Sequence, residues 1–193
     1  MKAVLMSIQP KWCELITNGK KTIEVRKTKP KLETPFKVYI YCTYGEGLIE
    51  ANDEILPNHL IEQKVSKYKT WGNCCNGKVI GEFVCDDIDT IAVFNDLLYC
   101  EANSQANKLK QMCLTIEEIK AYLGKKNIGY GWHISNLVIY DEPHELSEFK
   151  KINRECWYAD LGLAKRDCPE CKNAECFISR PPQSWCYVEG GAE

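Results

Sequence analysis

No stretch of the 193 residues approaches the ~20 consecutive apolar side chains of a membrane-spanning helix, and none is a repeat or a low-complexity tract. The N-terminal apolar stretch, residues 3–8, is too short for a signal peptide and is ended by Gln9-Pro10-Lys11. Charge of one sign is not in excess. With 25 Lys and Arg against 27 Asp and Glu, the net charge is −2. No global basic field marks the chain as a nucleic-acid binder, so an anionic ligand has to meet a local cluster of cations. Histidine is scarce, at three residues, which leaves few side chains for proton transfer at neutral pH.

Cysteine is abundant, at 12 residues. In a secreted chain such a count suggests a disulfide framework. Here no signal peptide is recognised, and Cys13, Cys42, Cys85 and Cys113 sit inside apolar periodic segments. They read as small buried hydrophobes in a reducing cytoplasm. The 45% hydrophobic and 27% charged composition is ordinary for a globular protein. The length suits one domain with a core, or one domain plus a small appendage.

Residues 3–8 read as a strand. Pro10 is placed to open a short helix with apolar residues at Trp12, Leu15 and Ile16, and Asn18-Gly19 stops it. Residues 22–28 alternate and read as a strand, and a proline-bounded loop follows at 29–35. Residues 36–43 form an aromatic, β-branched strand with Val38, Ile40 and Cys42 on one face. Residues 44–77 are irregular, with a helix expected near 58–68. One long strand is expected over 78–91. A helix over 115–123 has Thr115 as N-cap and Glu118 three residues on, and Gly124 follows it. A strand region spans 129–139, and Pro143 opens a short helix through about 149. From 153 the texture turns to cysteine and proline. These elements predict an α+β protein: a small mixed β-barrel with flanking helices over 1–152, and a cysteine-rich extension over 153–193.

Gly19-x-Lys21-x-x-Glu24-x-Arg26 places three charged residues after a helix stop and at the start of a strand. Glu24 and Arg26 are two apart, so they share a face, while Ile23 and Val25 point into the presumed core. Lys21 joins them from the turn. One carboxylate and two cations thus converge. Arg holds a phosphate or carboxylate in a fork, and Lys adds a point charge. Glu24 can orient a cation, accept from a base or ribose, or take a proton. The same alternation also fits a solvated face whose charges pair with each other. Lys20, Lys21, Arg26, Lys27, Lys29 and Lys31 make this the most basic stretch of the chain. It suits a phosphate path or a protected strand edge.

The Gly-x-Lys-x-x-Glu-x-Arg segment after a short N-terminal helix resembles the signature of the ASCH family, which has a PUA-like β-barrel fold. Three further segments carry the resemblance: Ser7-Ile8-Gln9-Pro10-Lys11-Trp12, Val79-Ile80-Gly81-Glu82-Phe83, and Trp132-His133-Ile134-Ser135-Asn136 with Pro143. Together they span about residues 1–150. The resemblance implies RNA binding or the holding of a modified nucleobase, in a pocket lined by Lys21, Glu24 and Arg26. Lys11, Trp12, Glu82, Trp132, His133 and Ser135 join the candidate ligand contacts. Some small family members deacetylate N4-acetylcytidine with a Lys, a Thr three residues later and a Glu on a barrel strand. Lys21 matches the Lys and Glu82 the assisting Glu, but Glu24 stands where the Thr would be. A carboxylate does not replace a hydroxyl nucleophile in amide cleavage, because the acyl product would be an anhydride.

His133 reads either as a proton shuttle or as a hydrogen-bonded structural residue. Trp12 and Trp132 read either as base-stacking surfaces or as core anchors. Near the C-terminus, Cys168-Pro169-Glu170-Cys171, Cys176 and Cys186 have the spacing of a closed structural zinc site, with Cys156 as a possible substitute ligand; unliganded thiols are the alternative. The stretch 180–187 is expected to fold back and cover one side of the pocket. Three functions follow: an RNA- or modified-nucleotide-binding protein, a hydrolase or ribonuclease with Lys21 and Glu24 as its acid/base pair, or a protein-interaction adaptor.

Overall fold

The computed structural model describes residues 2–44, 76–100, 105–152 and 177–190. The β-branched and aromatic segments become nine strands: β1 (Lys2–Ile8), β2 (Ile23–Arg26), β3 (Phe36–Cys42), β4 (Val79–Cys85), β5 (Ile88–Phe94), β6 (Leu97–Cys100), β7 (Ile128–His133), β8 (Ser135–His144) and β9 (Trp185–Glu189). One sheet has the order β8-β4-β3-β1-β9 and the other β2-β7-β5-β6. β1 and β3 are parallel, and the other pairings are antiparallel.

The expected barrel is corrected to two sheets, which do not close among the described residues. The chain passes between them at two short corners. Asp86-Asp87 separates β4 from β5, so the single long strand expected over 78–91 is two strands in different sheets. Ile134 likewise separates β7 from β8. A further correction concerns Pro143. β8 runs on through His144, and only a single 3-10 turn, Leu146–Glu148, follows it. The helix expected near 58–68 lies outside the described residues.

The first sheet buries both faces. Val4, Met6, Ile8, Val38, Ile40 and Cys42 face one core cluster with Trp132 and Phe83. Ala3, Leu5, Tyr39 and Tyr41 face another with Ile178 and Val188. Two-sided burial is why β1 and β3 read as nearly continuous apolar runs. The second sheet packs Ile23, Val25, Ile91 and Val93 against two helices.

Three helices are described. α1 (Pro10–Thr17) starts on its proline and buries Cys13 and Ile16. α2 (Gln105–Met112) went unforeseen, because it buries only Lys108 and Met112 and shows little apolar periodicity. α3 (Ile116–Leu123) has the expected capping box: Glu118 N donates to Thr115 Oγ1 at 3.2 Å, and Thr115 N donates to Glu118 Oε2 at 2.9 Å. Among the described residues no helix is long and apolar enough to cross a membrane.

The C-terminal segment returns to the first sheet, where β9 pairs with β1 in the register Leu5↔Cys186. Cys186 is partly buried there, against the cluster that includes Leu5 and Val188. Cys156, Cys168, Cys171 and Cys176 lie outside the described residues.

Candidate ligand cleft

α1 ends at Thr17, and two residues on Gly19 reverses the chain with a φ of +74°. Lys21 N then donates to Leu15 O at 2.8 Å. β2 follows, paired with β7 so that Glu24 opposes Trp132 and Arg26 opposes Tyr130. Ile23 and Val25 enter the second core as the alternation predicts. Lys21, Glu24 and Arg26 meet beside the strand.

The three charges are not a solvated face. Lys21 is 2% exposed, and Glu24 and Arg26 are each 6% exposed. Lys21 Nζ donates to Met112 O at 2.5 Å and lies 3.4 Å from Glu24 Oε2. Arg26 Nη2 donates to Ser7 O at 2.7 Å and lies 3.0 Å from Glu24 Oε1. Arg26 Nη1 reaches Ser184 Oγ at 3.5 Å. The buried Arg26 Nε–H has no hydrogen-bond acceptor among the described residues. Two cations against one carboxylate leave an excess positive charge and, among the described residues, an unused donor, with all three side chains largely buried. Such a group is costly unless something pairs with it.

The cluster opens into a cleft of about 540 Å³, lined from four elements: Lys11 and Trp12 of α1, the β2 region, Glu118 and Tyr122 of α3, and the segment Pro181–Ser184. Lys11 Nζ and Lys21 Nζ lie 4.1 and 5.1 Å from the Trp12 ring centroid. Burial pushes the Tyr122 hydroxyl up from its ordinary range against the opposing pull of Arg26. Beneath α1, burial foremost and the neighbouring Cys42 next push the Cys13 thiol well up, so it is an inert core group rather than a nucleophile.

Four candidate contacts stand outside the lining. Trp132 is fully buried, edge-on to Phe36 at 5.6 Å, and so presents no face for a base. Glu82 accepts from Tyr140 at 2.7 Å and lies 2.8 Å from Lys37 Nζ. Burial alone would raise its carboxyl, but those two partners hold it below the usual range. Ser135 Oγ donates to Val84 O at 2.8 Å. His133 Nε2 lies 2.7 Å from Asp89 Oδ2, which also accepts from Lys108. Sequence reading missed Lys108, Asp89 and Tyr122. None belongs to a motif, and only the docking of α2 and α3 on the second sheet brings them into place.

A family model described as the ASCH domain matches residues 6–159. The chain belongs to the ASCH domain family. Among solved structures it is similar to ASCH from Zymomonas mobilis, with 14% identity, a TM-score of 0.46, and coverage of 97% of this chain and 87% of that one. A point mutant of that Zymomonas mobilis protein gives 14% identity and a TM-score of 0.46, covering 98% of this chain and 91% of the other. No curated protein matches the chain. Lys21, Glu24 and Arg26 of this ASCH chain lie inside the matched span. Pro181–Ser184 lies beyond it.

Proposed function

We propose that this ASCH protein binds RNA or a modified nucleotide in the Lys21/Glu24/Arg26 cleft. One observation carries the reading: a buried cluster with one more cation than carboxylate, and a buried Arg26 Nε–H without an acceptor among the described residues, opens into a nucleotide-sized cleft. A ligand phosphate or carbonyl oxygen would accept from Arg26 and balance the excess charge. The partly exposed Trp12 ring offers a stacking surface beside it. Exposed Lys27, Lys29 and Lys31 offer phosphate contacts along one flank. The RNA-binding character of the ASCH family points the same way.

Both Glu24 oxygens face a cation. This arrangement orients Lys21 and Arg26 and supports holding a ligand over taking a proton from it. The test is RNA retention and nucleoside binding by the purified chain, scored together with product formation. Binding that weakens with salt and collapses in Arg26→Lys supports the proposal. Turnover that Glu24→Gln abolishes while binding persists would replace it with the hydrolase or ribonuclease reading.

A further inference from the structure

We infer that Pro181–Ser184 is a wall that makes the cleft accept the end of an RNA strand, one terminal nucleotide, rather than the middle of a strand. This rests on the nucleotide-binding reading above. The segment is anchored to the cleft itself. Ser7 N donates to Ser184 O at 2.9 Å, and Ser7 Oγ donates to Pro182 O at 2.6 Å. Ser184 Oγ touches Arg26, the cation with the unused donor. Two successive prolines stiffen the segment. The next residues enter β9, whose pairing with β1 fixes where the wall stands. The wall comes from outside the residues matched by the family model.

Among the described residues, α1, β2, α3, Ser7 and Thr43 line the rest of the cleft, and about 540 Å³ suits one nucleotide-sized ligand. A strand passing through needs a second way out, where the wall stands. A strand end needs only one. The same C-terminal segment also fixes the basic flank. Trp185 Nε1 donates to Thr28 Oγ1 at 3.0 Å, and Lys31 N donates to Tyr187 Oη at 2.7 Å. The loop bearing Lys29 and Lys31 is thereby held beside the cleft, where the phosphates next to a bound terminal nucleotide would run. Gln183 is exposed on the wall, and its amide can both donate to and accept from a base edge.

The test compares a short linear RNA with the same sequence closed into a circle, both titrated against the full chain. The linear form should bind at least about tenfold more tightly, and a free mononucleotide should compete with it. In a Pro181→Gly/Pro182→Gly variant that keeps its melting temperature, the preference for the linear form should shrink. Should that variant unfold, Gln183→Ala serves instead and should change which terminal base is favoured. Equal binding of circle and linear RNA overturns the inference while leaving the nucleotide-binding reading intact, as does an unchanged preference in both variants. Absence of binding to either RNA or mononucleotide overturns both.

Discussion

Two buried charge clusters lie on the second sheet, and they differ in one respect. Lys108, Asp89 and His133 form a closed set: Asp89 Oδ2 accepts from Lys108 and lies 2.7 Å from His133 Nε2, and neither Lys108 nor Asp89 is among the side chains left without a partner. Lys21, Glu24 and Arg26 form an open set, with an excess cation, an unused N–H and a cleft in front. Similar chemistry thus does two jobs. The closed set fastens α2 to the sheet, and the open set is the one proposed to take an anion. Burial of a charge does not by itself distinguish a site from a fastening; here the difference is an unpaired donor together with a cleft in front of it.

Breaking the closed set should cost the most folding energy. Asp89→Ala leaves the buried Lys108 without its carboxylate, with only the more distant His133 Nε2 at 3.4 Å beside it, and should destabilise the protein by about 3–5 kcal/mol in urea unfolding. Affinity for RNA, measured on the fraction still folded, should stay near wild type. A loss below about 1 kcal/mol would mean the cluster is not the fastening described.

Breaking the open set should act on binding instead. Arg26→Lys keeps the charge but removes the fork that spans Ser7 O, Glu24 and Ser184. Affinity should fall about tenfold or more, a larger effect than the accompanying change in melting temperature. Equal affinity in the variant and the wild type would place the ligand elsewhere.

Acid should loosen the closed set. Burial alone would raise the Asp89 carboxyl, but His133 and Lys108 outweigh it and hold it below the usual value. A folded pKa depressed in this way gives stability that is complete above the unfolded carboxylate range and is lost as pH falls through the folded value. Wild type should therefore lose stability progressively below about pH 4, and Asp89→Asn should lose less of it over that interval. Parallel pH curves for the two proteins would contradict the assignment.

The smallest expected effect sharpens the phosphate path. Lys29→Ala should leave folding unchanged and flatten the plot of log affinity against log salt by about 0.7, the equivalent of one single-strand phosphate contact. An unchanged slope would remove Lys29 from that path.

Much of this was legible in the residues. The helix stop at Asn18-Gly19, the two-residue spacing of Glu24 and Arg26, and the inward turn of Ile23 and Val25 follow from local periodicity, and periodicity survives folding wherever one face is buried. The capping box at Thr115 and Glu118 is likewise a short-range bond between residues three apart. Trp132 and Glu82 enter the candidate contacts through their place in the family-like segments, and such a match does not say which face of a strand ends up lining the cleft. The closed barrel failed on Asp86-Asp87 and Ile134, where a strand that reads as continuous turns from one sheet to the other. α2 left almost no trace, since its buried face is a lysine and a methionine.

By itself, then, the sequence determined that one carboxylate and two cations would converge after the first helix, because strand alternation and a left-handed glycine are local constraints. Only the tertiary structure decided that these charges are buried and that one donor has no acceptor among the described residues. It also set residues 181–184 across the cleft, more than 150 positions along the chain from Glu24. Those outcomes depend on which surfaces meet, and a single chain segment carries no record of its distant neighbours.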